Sequence, residues 1–519
     1  ASTRRMAITR HNFPRLAPMA LALLAIAPPG HAGWRLTPAV AVTETWTDNI
    51  NHQTDGQERS TWVTQATPAL TLVGNTPRVR FAATHEWHYF AYSGKQPQNT
   101  YDSQRQYLAS MDARVVDDLL FVDATASRTA QAISAFGENV TGNLWSMGNR
   151  AEVSTWRVSP VLRHRFGGTL EATARYSRDS VKADRNLLGS SEGESWMANL
   201  SSGRNFQNVR WSLDYAKQEL DNKLAGHSSS ETALASVRVR ASRTLAVLAS
   251  GGWDSYDYQA LGGRTSGRNW SAGFAWTPSH RTSVEASWGH RFFGPSGALS
   301  ASHRSRHSMW NVRYSDTITT SRSQFLLPAS FDTASMLDKL FAPSFPDPVA
   351  RAQAVATYMK ATGLPASLAD NVNYFSNRYF RQRQFGAGTV FSGAHSDLAF
   401  GVYDVRREAQ SVDQSDSSLL GSQLAQLSED VRQRGVDATF NYRLGKRSAV
   451  RLASGANRTE SLSTGRIVHG RTLRLGVTHQ FSQGMYGALE VRRSSGSAGL
   501  LGDRNFAEHA LSASLSIQL

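Results

Sequence analysis

The chain has 519 residues, 40% of them hydrophobic, with a mean hydropathy of −0.40 and a formal charge of +15. A bundle of transmembrane helices is excluded, because it needs several apolar stretches of about 20 residues and the sequence contains none. With 13 Trp, 15 Tyr, 22 Phe and no Cys, disorder is also excluded, as are disulfides, thiolate metal sites and thiol catalysis.

Residues 1–32 carry Arg4, Arg5, Arg10 and Arg15 and no acid, then an apolar run over 16–27, Pro28-Pro29 and the small-x-small triplet Gly30-His31-Ala32. A basic stretch, a short apolar stretch and a small-residue cleavage site predict a secretory signal peptide, cut near Ala32/Gly33. The apolar run is too short to anchor the chain across a bilayer. Without those four arginines, residues 33–519 keep a charge of +11, nearly all of it from Arg, since only seven Lys occur. Such a surplus points to nucleic acid, anionic lipid or an anionic solute. The arginines are spread singly along the chain rather than gathered into a patch or motif, which argues against nucleic acid.

From Trp34 onward the dominant period is two, the mark of a strand with two unlike faces. Val79, Phe81, Ala83, His85, Trp87, Tyr89 and Ala91 alternate with Arg80, Ala82, Thr84, Glu86, His88 and Phe90. The same texture recurs at 107–115, 120–126, 156–162, 170–176, 209–215, 233–239, 270–276, 284–288, 398–402, 436–442, 473–477 and 511–519. Short turns such as Asp117-Asp118, Phe166-Gly167-Gly168 and Ser482-Gln483-Gly484 alternate with longer polar stretches, among them 129–150, 178–195, 219–229, 319–376 and 407–428. That asymmetry belongs to bacterial outer-membrane barrels. The prediction is an all-β fold: one large transmembrane antiparallel β-barrel of about 20–22 strands over 33–519, in the outer membrane of a Gram-negative cell. Residues 294–307 are left to hold one hairpin or none. A solenoid or propeller would show a fixed repeat, and none is visible.

If the apolar set faces lipid, the alternate set faces the lumen. That inward set is rich in Arg: Arg80, Arg114, Arg157, Arg175, Arg210, Arg238, Arg240, Arg443, Arg451, Arg474 and Arg492, with Glu171, Asp214, Asp437 and Glu490 among them. A charge facing the bilayer midplane costs about 2–4 kcal/mol, which forces these residues inside. So wide a barrel leaves an aqueous channel unless it is plugged. An Arg lining favours anions, although any wide lumen must be polar in some way.

Residues 321–376 form the longest break in the strand pattern. Helices are predicted over 332–341 and 348–362, with Asp347 as N-cap, Pro348 at the first helical position and Gly363 at the stop. Val349, Ala352, Val355 and Met359 recur at helical spacing. Leu337, Phe341, Val355 and Met359 are the candidate residues of a cap or constriction. Two readings stay open: a loop that gates the channel, and an extracellular cap with no gating role.

No catalytic constellation stands out, and no enzyme activity, cofactor or metal is expected. His85-Glu86-Trp87-His88 looks metal-like, but on a strand His85 and His88 point to opposite faces. His303 and His307 lie among Arg304 and Arg306, which repel a cation. Neither a G-x-S-x-G elbow nor a G-x-x-x-x-G-K-[ST] phosphate loop is expected.

Residues 38–49, PAVAVTETWTDN, resemble the opening strand of the outer-membrane proteins associated with the PEP-CTERM/exosortase system. Residues 337–355, LDKLFAPSFPDPVARAQAV, with Gly363-Leu364-Pro365, are similar to that family's mid-chain insertion. The resemblance covers nearly all of 33–519. It implies a role in carrying exopolysaccharide across the outer membrane and brings no catalytic residues. Three functions therefore stand side by side: a passive conduit for exopolysaccharide, a general or anion-selective porin, and a surface adhesin or anchor. The expected partners are outer-membrane lipid, an anionic polysaccharide, periplasmic export partners and the barrel assembly machinery.

Overall fold

The computed structural model describes residues 33–137, 143–184, 190–223, 226–258, 261, 265–326, 374, 376–412, 426–482, 484–498 and 504–518. Twenty-two strands follow one another. The chain opens with β1 (Trp34–Thr47), β2 (Thr61–Asn75), β3 (Val79–Tyr92), β4 (Ser103–Val116), β5 (Leu120–Ala132) and β6 (Arg150–Phe166). Next come β7 (Leu170–Ala183), β8 (Ser191–Ser202), β9 (Val209–Asn222), β10 (Gly226–Arg240) and β11 (Leu245–Asp257). They are followed by β12 (Ser266–Ser279), β13 (Thr282–Arg291), β14 (Gly294–Arg304) and β15 (Ser308–Thr320), then a short helix α1 (Ser321–Leu326). The rest are β16 (Tyr379–Ser392), β17 (Ser396–Ala409), β18 (Asp430–Arg443), β19 (Ser448–Ser461), β20 (Ile467–Ser482), β21 (Met485–Ala498) and β22 (Arg504–Gln518). Each pairs antiparallel with its neighbours in sequence. β1 pairs with β22, from Ala39 opposite Gln518 to Thr47 opposite Ala510, and the sheet is closed.

The two ends differ. At one end the connections are short, such as 76–78, 117–119, 280–281 and 305–307; Asp118 (φ 58°) and Gly167 (φ 60°) take the left-handed conformation that tight turns demand. At the other end they include 48–60, 133–149, 321–378 and 410–429. Both β1 and β22 have their outer termini at the short-turn end, as in outer-membrane barrels.

The period-two pattern becomes two faces. Trp46 stands opposite Trp62, Val237 opposite Trp211 and Leu475 opposite Val491 on the outer face. Large apolar side chains remain exposed there, including Trp288 at 61% and Leu489 at 61%, which only a hydrocarbon solvent explains. The inner face carries the buried polar groups, among them Thr47, His88, Ser159, Ser177 and Asp179.

The strands run beyond their apolar alternation into polar sequence, because backbone pairing does not need apolar side chains. Of the stretch 219–229, expected as a loop, only 223–225 connects β9 and β10. Residues 294–304 form β14, which makes hairpins with both β13 and β15.

The barrel is not round. Tyr379, at the long-loop end of β16, donates a hydrogen bond to Ser228 Oγ on β10 at 3.0 Å. Arg322, one residue into α1 and just past β15, reaches Asp179 on β7. Walls far apart along the sheet therefore approach one another. Gly252 (β11), Gly273 (β12) and Gly289 (β13) lie on the inner face between them; an added Cβ would collide with the carbonyl oxygens of Ala233, Ala286 and Trp270. Glycine permits this close backbone approach and marks the bend.

Candidate channel lumen and its closed mouth

The register places all eleven predicted arginines on the face opposite the exposed apolar belt. Arg210 stands directly opposite Arg238, and Arg474 opposite Arg492. Most have acidic neighbours: Arg157–Asp179 at 3.6 Å, Arg175–Asp123 at 2.8 Å, Arg238–Glu285 at 3.3 Å and Arg443–Asp397 at 3.4 Å. Arg474–Glu490 (3.9 Å), Arg492–Glu508 (3.0 Å) and Arg114–Asp117 (3.6 Å) complete the set. Arg451 faces inward beside Asn441 and Gly476 in register. The side chains of Arg80, Arg210 and Arg240 make no ion pair or hydrogen bond with the described residues. All three are exposed and lie within two residues of a short turn.

At the opposite end, loops turn inward. Phe136 from 133–149, Tyr374 from 321–378 and Leu427 from 410–429 pack together against Val431 and Val468 of the inner wall. Ile50 and Trp145 pack on Val63 and Phe90. A loop that faced water would not bury such side chains; here they build small apolar cores against the inner wall at the long-loop end.

Charge clamps hold these cores. Arg322 donates through Nε to Ser191 Oγ at 2.7 Å and pairs with the fully buried Asp179. Burial draws its guanidinium below its ordinary pKa, and Asp179 pulls it back. Beside it, Phe325 and Leu326 of α1 pack on Ile133, Ala151, Val153 and Val181. The buried Arg407 donates to Gln382 Oε1 at 2.8 Å, with its guanidinium 5.0 Å from the centre of the Tyr374 ring. Arg150, 2% exposed, donates to the carbonyl of Leu144 at 2.8 Å. Asn143 donates to Glu508 at 3.2 Å and accepts from Arg492.

Leu337, Phe341, Val355 and Met359, the predicted constriction residues, lie outside the described residues, as do both predicted helices and the signal segment. The described ends of that same loop, α1 and Tyr374, both sit inside the barrel mouth. The contribution of 133–149 was missed in the sequence, although Phe136, Leu144 and Trp145 are conspicuous among its apolar residues.

His85 faces outward, stacked on Trp87 with centroids 3.9 Å apart, while His88 faces inward toward Thr67 Oγ1 at 3.1 Å. No group of three or more metal-ligating side chains occurs among the described residues. Against the expectation of no such motif, residues 189–193, GSSEG, match the G-x-S-x-G formula of hydrolases. Ser191 there begins strand β8 and accepts from Arg322, so it is not the strand-to-helix elbow that the formula needs.

The closed meander, its exposed apolar belt and its unequal ends decide the fold. It is an outer-membrane β-barrel. No protein-family model and no curated protein matches the chain. Among solved structures it is similar to the siderophore receptor PirA from Pseudomonas aeruginosa, at 9% identity over 93% of this chain and 80% of that one, with a TM-score of 0.42. It is similar also to the F3-3 variant of the FrpB iron transporter from Neisseria meningitidis, at 9% identity over 94% of this chain and 82% of that one, with a TM-score of 0.48.

Proposed function

We propose that this barrel is a gated outer-membrane conduit for an anionic polymer, the finer reading being export of an acidic exopolysaccharide. One observation carries the reading: three loops meet in an apolar core at the mouth, one of them tied to β7 by the buried Arg322–Asp179 pair and another bonded through Asn143 to the buried Arg492–Glu508 pair of β21 and β22. A general porin works with a standing aqueous passage, whereas a conduit used only with its cargo and partners is better kept shut. Below the closure, the inner face offers arginine at many heights, so a carboxylated polymer would exchange one weak contact for the next without a covalent step. The likeness of 38–49 and 337–355 to the exosortase-associated outer-membrane proteins supports the polysaccharide reading.

The test is single-channel conductance of the reconstituted barrel, with and without alginate as the acidic polymer. A conduit gives rare, small openings alone and long blocked-open events with polymer; steady large conductance indifferent to polymer overturns it. In the cell, disruption of the gene should leave polymer in the periplasm, and normal secretion removes the polysaccharide reading.

A second reading has its own support. Among the described residues Arg80, Arg210 and Arg240 have no ion-pair partner, and they stand near the short-turn end, which favours selection of small anions there. Reversal potentials in a chloride gradient separate the two, since an anion porin conducts chloride selectively without polymer.

A further inference from the structure

On the outer face of β16–β21 a row of arginines begins one step beyond the last apolar side chain on the long-loop side. Arg434 follows Val436 at two residues' spacing, Arg471 follows Leu473 and Arg493 follows Val491, so each shares its neighbour's outward face. The register sets like charges side by side: Arg383 opposite Arg406, Arg406 opposite Arg432, and Arg434 opposite Arg458. Like charges directly opposite destabilise a sheet. Acids relieve only part of this. Glu408 bridges Arg383 and Arg406, and Asp404 takes Arg432 through two hydrogen bonds of 3.0 and 2.5 Å. Arg434 lies 3.7 Å from that same Asp404, and Arg458 lies 3.4 Å from Glu460, so three acids face five arginines. The exposed side chains of Arg471 and Arg493 make no ion pair or hydrogen bond with the described residues.

The rim does not demand such a row. On β8 and β9, also on the outer face at the long-loop end, Glu192 stands opposite Asp221 and Glu194 opposite Glu219. The basic row is thus local, and it lies where lipid headgroups meet the barrel wall.

We propose that this row binds a lipid whose headgroup carries two phosphates, in the leaflet on the long-loop side. One phosphate sits between Arg434 and Arg458, the other against Arg471 and Arg493. The two positions lie about two strand spacings apart across the sheet and about three residues apart along it, or about 14 Å in all. A guanidinium fork matches a phosphate with two parallel hydrogen bonds, and a dianion between two arginines removes the repulsion that the register imposes. The acyl chains of the same lipid lie against Val436, Leu473 and Val491 below.

The experiment uses the full chain in dodecyl maltoside, with native mass spectrometry to count bound lipid. The probes are diphosphoryl lipid A, monophosphoryl lipid A, phosphatidylcholine and inorganic phosphate. The diphosphoryl form should bind one to one, and the monophosphoryl form at least threefold more weakly. Phosphatidylcholine should not hold, and millimolar inorganic phosphate should not compete. The R434Q/R471Q/R493Q variant should lose at least tenfold in affinity, the corresponding Lys variant less, and the E192Q/E194Q variant on the other rim nothing. Heat-modifiable gel mobility establishes that each variant is a folded barrel. Undiminished binding by the Gln variant, or competition by inorganic phosphate, overturns the proposal. So does a variant that alters self-association in micelles while binding lipid A as before, because the row would then be a contact between copies of the chain.

Discussion

Arg492 on β21 and Glu508 on β22 stand 3.0 Å apart on the inner wall, and both are bonded by Asn143, which arrives on a loop from between β5 and β6. Arg492 is 6% exposed and Glu508 1%. A loop distant in sequence thus docks on the strand that closes the barrel.

The Asn143→Ala substitution removes both bonds and leaves the Arg492–Glu508 pair intact. Hydrogen bonds to charged groups contribute about 1.5–3 kcal/mol each, so the 133–149 loop should open at least tenfold more often. Planar-bilayer recordings should show a matching rise in open probability, and chymotrypsin should cut sooner within that loop, at Phe136, Leu144 or Trp145. Unchanged recordings would mean that the loop does not gate.

Arg322→Ala is expected to act more strongly. It leaves Asp179 fully buried with only Arg157, at 3.6 Å, to balance it. Removing one partner of a buried pair costs about 3–5 kcal/mol. The loss should appear as detachment of α1, read by faster amide hydrogen exchange in 321–326 and by higher conductance. Arg322→Lys should fall between, since an ammonium cannot serve Ser191 and Asp179 with one planar fork.

Replacing Arg80, Arg210 and Arg240 together with Gln removes the positive charge near the short-turn end. The chloride-to-potassium permeability ratio should fall about threefold, in line with the focusing of potential inside a low-dielectric tube. Loss should be smaller in high salt, where screening is short-ranged. A ratio that does not move places the selective region elsewhere.

Gly289→Val tests the bend. A Cβ at this position meets the carbonyl oxygen of Trp270, so β12 and β13 cannot keep their register. The yield of heat-modifiable barrel should collapse. Gly297→Ala is the control: its nearest contact would be Ser287 O at 3.5 Å, an ordinary distance, and folding should be normal.

The wall of the barrel was legible in the sequence for a simple reason. Lipid outside and water inside impose opposite demands on successive residues, and Val79–Tyr92 records them one side chain at a time. The weakly apolar β14, with Ala298, Leu299 and Ala301 between serines, carried too faint a contrast to be placed. The closure could not be read the same way. Phe136, Tyr374 and Leu427 come from three connections, and nothing local to any one of them names the other two. The arginine row was hidden too, because strands are needed to bring residues as far apart in sequence as Arg383, Arg432 and Arg458 onto one stretch of the rim.

The β1–β22 seam bears on how such a molecule is made. Nine residue pairs of that seam join the two extremes of the described chain, so the cylinder cannot be completed before β22 has been made and exported. Until then the growing sheet has two unsatisfied margins, each a template for the wrong neighbour. An export pathway must shelter both margins until β22 arrives, which makes the strand at the seam, rather than one within the sheet, the step at which the barrel commits to its native form.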